Sequence, residues 1–152
     1  MKMIIKNFKG KYAFLSNFYR SEIVYQGLVY LTAEHLYQAL KTRKIPVRET
    51  IRKAKTPGEA KKLGGEVDLR KDWEYTKDSF MGLIIHLKFH QNVDLMAQLL
   101  NTHPLELIEG NWWHDNYWGN CECPKCVYIT GQNKLGKILM ERRKEIIQSK
   151  NV

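Results

Sequence analysis

No run of eighteen apolar residues occurs in the 152-residue chain, so no segment is expected to span a membrane. The opening stretch MKMIIKNFKGKYAF carries basic residues but neither a sustained apolar region nor a small-residue cleavage site, and no signal peptide is expected. Only three cysteines are present, crowded into residues 121–126, which is not the layout of a secreted disulfide framework. The expected location is therefore cytoplasmic. The phosphate loop GxxxxGK followed by Ser or Thr is missing, as are the GxGxxG fingerprint, HExxH and GxSxG. There is no internal repeat and no low-complexity tract.

What is present is a chain of one-domain length, 1–152, with an ordinary apolar content and a marked basic excess. The formal net charge of +9 suggests an anionic partner such as nucleic acid, a nucleotide or a phosphorylated metabolite; it also suits a merely solvated, self-repelling surface. Much of the charge gathers between residues 41 and 55, in Arg43, Lys44, Arg48, Arg52, Lys53 and Lys55.

Residues 3–8 read as a short strand. The aromatic segment YAFLSNFYR at 12–20 is broken by Ser16 and Asn17, as in a loop that caps a core or aims polar groups at a ligand. Two short strands, 21–25 and 28–31, flank a Gln26-Gly27 turn. Thr32 caps a helix over 33–41, whose apolar face is Ala33, Leu36, Tyr37 and Leu40, with Glu34, Gln38 and Lys41 on a neighbouring stripe. Glu34 there is either a helix-end charge or a carboxylate at the edge of a buried face. Pro46 breaks the chain before a short helix over 48–54. Thr56, Pro57 and Glu59 start another helix, which Gly64-Gly65 ends. Longer helices follow at 74–90 and 93–100, an edge strand at 105–108, and a last helix at 134–149 with Leu135, Ile138, Leu139, Arg142 and Ile146 inward and Lys137, Arg143 and Lys144 outward. Lys88 borders the apolar side of its helix, its amine reaching a polar pocket or snorkelling to water. The pattern is helix-rich with a small sheet, hence α+β.

The Trp-rich stretch from Asn111 holds Trp112, Trp113 and Trp118 within seven positions, around His114 and Asp115. It is aromatic packing over a small core, or planar rings beside a carboxylate in a pocket. The CxCPxC run of Cys121, Cys123 and Cys126 resembles zinc spacing, with His114 the nearest fourth ligand; free thiols in a surface loop are the expectation, and structural zinc the alternative. Two carboxylates, Glu34 and Asp115, together with aromatic loops suit cleavage of a glycosidic bond through an oxocarbenium-like transition state, with the leaving base stacked on an aromatic ring.

Six segments in order carry a resemblance to the YbiA-like family, also called the NADAR domain: FLSNFY at 14–19, AEHLYQALK at 33–41, the P-x-x-A-K-x-L-G run at 57–64, M-x-x-x-I-x-x-KF-x-QN at 81–92, D-x-x-WG at 115–119 and GQNKLGKILM-x-x-R at 131–143. The resemblance covers about Asn7 to Arg143. It implies a compact, mostly helical α+β domain with a small sheet, and an N-glycosidase that hydrolyses a ribosyl C1–N bond. Two substrate classes are implied, ADP-ribosylated guanine in DNA first and ribosylamino-pyrimidine phosphates of the riboflavin pathway second. A non-catalytic ADP-ribose-binding module is the remaining alternative. By motif, Glu34 would activate water or stabilise the ribosyl cation, and Asp115 would hold the ribose hydroxyls or assist proton transfer. Asn17, Phe18 and Tyr19 would line the ribose and base, Trp118 would stack on the base or shape the pocket, and Lys88 would meet a phosphate or the nucleotide linkage. Asn133 and Gly136 would bring free N–H groups of the last helix start to an anionic oxygen. No redox or nucleotide cofactor is implied, since hydrolysis needs only water. The CECPKC segment departs from members with a shorter Gly-rich loop there and leaves the substrate preference open.

Overall fold

A computed structural model describes residues 3–151. The chain is α+β, with six helices and short strands among the described residues, none of the helices long and apolar enough to cross a membrane. It divides into two compact units, Met1–Ser16 with Asp94–Val152, and Asn17–Val93.

The first unit joins both ends of the chain. Strand β1 (Ile4–Lys6) pairs in parallel with β4 (Glu106–Ile108), Ile5 opposite Leu107. A 3-10 turn over Gly10–Leu15 buries Phe14 and Leu15. The segment at 12–15 is thus a turn packed into the core, on the capping side of the two expectations for this aromatic stretch. Helix α5 (Val93–Asn101) buries Leu95 and Leu99, and α6 (Lys134–Lys150) packs on β4 and buries Leu135, Leu139 and Ile146. The expected outward placing of Arg143 is overturned: it is 5% exposed, whereas Arg142 is half-buried and ion-paired to Glu145 at 2.7 Å. Arg143 falls four residues after Leu139 and three before Ile146, on the buried stripe. Its guanidinium is satisfied there by donating to Thr102 Oγ1 at 2.8 Å and the Leu105 carbonyl at 2.9 Å. A hydropathy pattern rejects an arginine at that position because it does not see those acceptors.

The second unit is built around one helix. Strands β2 (Arg20–Tyr25) and β3 (Leu28–Thr32) form an antiparallel hairpin, Val24 opposite Val29. Gln26 and Gly27 both take positive φ, 51° and 78°, the tight turn whose twist matches the strands. Thr32 then caps α1 (Ala33–Leu40), accepting the His35 N–H at 3.2 Å. All eight residues of α1 are buried, against α2 (Ile45–Arg52), α3 (Pro57–Gly64), α4 (Trp73–His90) and the hairpin. Glu34 and Gln38 of the expected polar stripe are therefore interior, where an unpaired polar group is costly. His35 is held at both ring nitrogens, Nε2 donating to the Ala54 carbonyl at 2.9 Å and Nδ1 accepting from Thr32 Oγ1 at 2.8 Å.

Helix α2 begins three residues before its predicted start. Pro46 opens it, because a proline near the first position loses no helical hydrogen bond. On α4, Lys88 is fully buried with Ile84, Ile85 and Phe89, while Leu87 is half-buried. The end of α4 is pinned by two motif residues. The Gln91 amide accepts the Val24 N–H at 2.7 Å and donates to the Val24 carbonyl at 2.9 Å, mimicking a strand neighbour. Asn92 donates to the Lys88 carbonyl at 2.7 Å. The KF-x-QN motif thus fixes the turn that carries Lys88.

Candidate functional site

Glu34 lies in the first turn of α1, 7% exposed, and its backbone N–H donates to the Asn17 carbonyl at 3.0 Å. One helical turn on, Gln38 Nε2 donates to Glu34 Oε1 at 2.6 Å, a short charge-assisted bond that fixes the carboxylate plane. A further turn brings Lys41, whose pKa is lowered by burial while the Glu34 carboxylate partly restores it and Lys61 lowers it further. Lys61 also sits 5.9 Å from the centre of the Phe18 ring. Asn17, in the loop before β2, donates to Met81 Sδ at 3.4 Å, and its Oδ1 is buried with no hydrogen-bond partner among the described residues. Gln38 Oε1 is in the same state. Gln38 Oε1 is covered by Gly64 of the neighbouring helix, whereas Asn17 Oδ1 is an acceptor that a ligand's hydroxyl or amide donor would satisfy. Phe18 and Tyr19 are 44% and 37% exposed, rings available for a planar group.

Lys88 belongs to the same unit. Its amine lies 6.0 Å from the Tyr19 ring centre and 5.3 Å from that of Phe89. Desolvation pushes its pKa down to about 7, so near neutrality it is shared between a cation and a neutral amine able to take a proton or attack an electrophile. Of the sequence-derived residues, Asn17, Phe18, Tyr19, Glu34 and Lys88 thus fall together in unit 2. Gln38, Lys41 and Lys61 join them. The Glu34–Gln38 spacing was legible; that Gln38 grips the carboxylate was not.

Gly64 was legible only as a helix stop. A Cβ there would run into the Gln38 side chain, 2.7 Å from its Cδ and 2.8 Å from its own Cβ. The glycine lets α3 approach α1 where Gln38 holds Glu34. Gly64→Ala is expected to cost about 1–3 kcal/mol of stability by overpacking and to lower turnover by displacing Gln38. Gly82→Ala in α4 meets nothing within 4 Å and serves as control. Melting curves and kcat of both variants test this; a Gly64→Ala enzyme with unaltered kcat removes Gln38 from its positioning role.

A cleft of about 300 Å³ in the same unit is lined by Thr42, Lys44, Ile51, Leu63 and Asp68 and by none of these residues. The basic segment beside it is partly paired. Arg43 pairs with Asp72 at 3.0 Å, Lys44 with Asp68 at 3.5 Å, Arg52 with Glu49 at 2.8 Å and Lys53 with Glu49 at 3.9 Å, and Arg48 donates to the Thr42 carbonyl at 2.7 Å. Hydrogen bonds from Arg70, then Arg43, hold the Asp72 carboxyl down at about 2, so it stays anionic.

The other sequence-derived residues belong to unit 1. Asp115 Oδ1 accepts the N–H groups of Tyr117 at 3.0 Å and Trp118 at 2.9 Å, closing the D-x-x-WG turn. Asn133, at φ 49°, accepts the Glu109 N–H at 3.0 Å and donates to the Leu107 carbonyl at 2.9 Å. Gly136 allows the same close approach, since a Cβ there would strike the Leu107 carbonyl and the Asn133 amide. The free N–H groups expected at the start of α6 are engaged: those of Asn133, Lys134 and Leu135 donate to the carbonyls of Gly119, Tyr117 and Trp118 at 3.1, 3.2 and 2.9 Å. The loop's own carbonyls take the place of an anion. Trp112 and Trp113 are 61% and 57% exposed, so they do not pack over a core. The three cysteines, expected at the surface, are buried.

The NADAR domain family model matches residues 5–147. N-glycosidase YbiA of Escherichia coli is 36% identical over 137 residues, 89% of this chain and 82% of the relative. An N-glycosidase of Nostoc punctiforme is 36% identical over 140 residues, 89% and 86% of the two chains. A riboflavin biosynthesis protein of Vibrio vulnificus is 34% identical over 137 residues, 89% of this chain but 36% of that larger protein. The NMR structure of E. coli YbiA superposes with a TM-score of 0.84 at 35% identity, covering 99% of this chain and 89% of that one. The segments that pin α1, the end of α4 and the start of α6 are thus those of a known fold, and the chain belongs to the NADAR domain family.

Proposed function

We propose that this chain is an N-glycosidase that hydrolyses the ribosyl C1–N bond of a phosphorylated riboside, with ribosylamino-pyrimidine phosphates as the first substrate class. The observation that carries the reading is the buried Glu34 carboxylate held by Gln38 at 2.6 Å. A carboxylate so fixed takes a proton from water as the water oxygen bonds to C1. The C1–N electron pair leaves with the base, whose nitrogen is protonated in turn, and negative charge beside C1 stabilises the oxocarbenium-like transition state. Phe18 and Tyr19 offer faces to the base. The orphaned oxygen of Asn17 accepts a ribose hydroxyl. The cationic fraction of Lys88 meets the phosphate. The E. coli and Nostoc relatives are named N-glycosidases, which supports the reaction class, and the Vibrio relative is named a riboflavin biosynthesis protein, which supports the substrate class.

Removal of ADP-ribose from guanine in DNA is the second reading, favoured by the net charge of +9 and the exposed Trp112 and Trp113. The ion pairs of Arg43, Lys44 and Arg52 with Asp72, Asp68 and Glu49 weaken it, because paired cations attract a phosphate backbone less. Both substrates tested side by side separate the readings. Release of the pyrimidine at a rate insensitive to salt is the expected result. Release of ADP-ribose from a modified oligonucleotide, falling steeply with salt, would transfer the assignment to DNA. Cleavage of neither would leave an ADP-ribose-binding module.

A further inference from the structure

Strand β5 (Gly110–Asn111) pairs in parallel with β6 (Asn120–Cys121), Asn111 opposite Cys121. The loop between them returns His114 across the strand pair, where its N–H donates to Cys121 Sγ at 3.3 Å. After β6, Pro124 opens a 3-10 turn over Pro124–Cys126, closed by the Cys126 N–H on the Cys123 carbonyl at 2.9 Å. That knuckle folds Cys123 and Cys126 back towards His114, whose Nδ1 lies 3.3 Å from the Sγ of each. The four donor atoms all lie within 4.8 Å of one another.

From this convergence we infer that His114, Cys121, Cys123 and Cys126 form a closed tetrahedral site for a single zinc-class divalent cation. Bond lengths to zinc of about 2.3 Å for sulfur and 2.0–2.1 Å for nitrogen put tetrahedral S···N and S···S edges at about 3.6 and 3.8 Å. The two Nδ1···Sγ distances of 3.3 Å are a few tenths of an ångström short of the first value, and the widest pair, within 4.8 Å, has to close by about 1 Å. An iron–sulfur cluster needs a wider cage than four donors within 4.8 Å provide. A disulfide would use two thiols and leave the third sulfur and the imidazole without purpose.

Two further features support a metal over a chance meeting of thiols. The three cysteines, 2%, 6% and 5% exposed, make a small buried cluster among themselves, without aliphatic neighbours in it, so hydrophobic packing does not account for their burial. His114 holds φ at 68°, a left-handed conformation uncommon outside glycine, which turns its ring back towards the thiols. The four ligands fill the coordination sphere, so the site is structural. Binding exchanges the three thiol protons for the cation and releases them to solvent, leaving three thiolates, a neutral imidazole and one net negative charge. The ion would clamp the loop that carries Asp115 and the exposed tryptophans.

Elemental analysis of the full chain purified without added metal is expected to give one zinc per chain. Chelator-stripped protein, kept reduced, should take up cobalt(II) with the visible bands of tetrahedral cobalt and thiolate-to-metal charge transfer, and should shift its tryptophan emission as the loop orders. Cys123→Ser should weaken zinc binding by at least about 100-fold, by loss of a thiolate ligand. His114→Asn, whose side chain tolerates the left-handed backbone, provides a second variant with all thiols intact and should change the cobalt spectrum. A protein that is metal-free, takes up no cobalt and whose thiols react at the same rate with and without zinc would overturn the inference, as would a native disulfide found by mass.

Discussion

Glu34→Gln is expected to lower kcat by about 100- to 10,000-fold, the range for a lost general base, while substrate affinity changes only a few-fold. The substitution keeps shape and hydrogen bonding: Gln38 Nε2 can still donate to the new side-chain oxygen at the 2.6 Å position. What goes is the negative charge and the capacity to take a proton from water. The loss has a second signature. The Glu34 carboxylate partly offsets the burial that lowers the Lys41 pKa, so in the variant that pKa should fall further. Single-turnover kinetics with binding measured separately check the first effect, and titration of the Lys41 amine by NMR checks the second. Near-normal kcat with bound substrate would remove Glu34 from the chemistry.

The second large effect is on stability and runs the opposite way. Lys88 is fully buried, and its pKa falls from 10.5 to about 7 by desolvation. Below pH 7 the native state holds a costly buried cation. Between pH 7 and 10.5 the unfolded chain binds a proton at this side chain that the native chain has shed, so stability rises with pH across that window. The shift corresponds to a cost on the order of 5 kcal/mol at low pH. Lys88→Met keeps the stem without the charge. It is expected to stabilise the protein by several kcal/mol at pH 7 and to lose roughly 4 kcal/mol of that advantage by pH 10, following the linkage. Urea melts of both proteins at the two pH values measure it, and parallel pH slopes would refute it. The same change should sharply reduce turnover, the trade expected where a strained group is kept for function.

How much of this could be read in advance depended on whether a residue's reason was local. The caps Thr32 and Thr56, the Gln26-Gly27 turn and the helix at 57–64 follow from their own few residues and were legible. Arg143 was placed on the wrong face because its acceptors, Thr102 and the Leu105 carbonyl, lie some forty positions away. The motif segments singled out Glu34, Asn17 and Lys88, which fall in one unit, and several other motif residues hold structure. Gln91 pairs with β2, Asn133 bridges β4 to α6, and Asp115 closes a turn through one oxygen. A motif does not say which of its members touch substrate and which touch each other. Gly64 shows the same limit, since its partner Gln38 is met only after α3 packs on α1.

The parallel pairing of Ile4–Lys6 with Glu106–Ile108 sets an order on biosynthesis. As the chain leaves the ribosome, residues 17–93 emerge complete while the first strand still waits for a mate about a hundred positions downstream. The amino-terminal strand is therefore an open edge during translation, vulnerable to mispairing with a neighbouring nascent chain, until β4 has been synthesised.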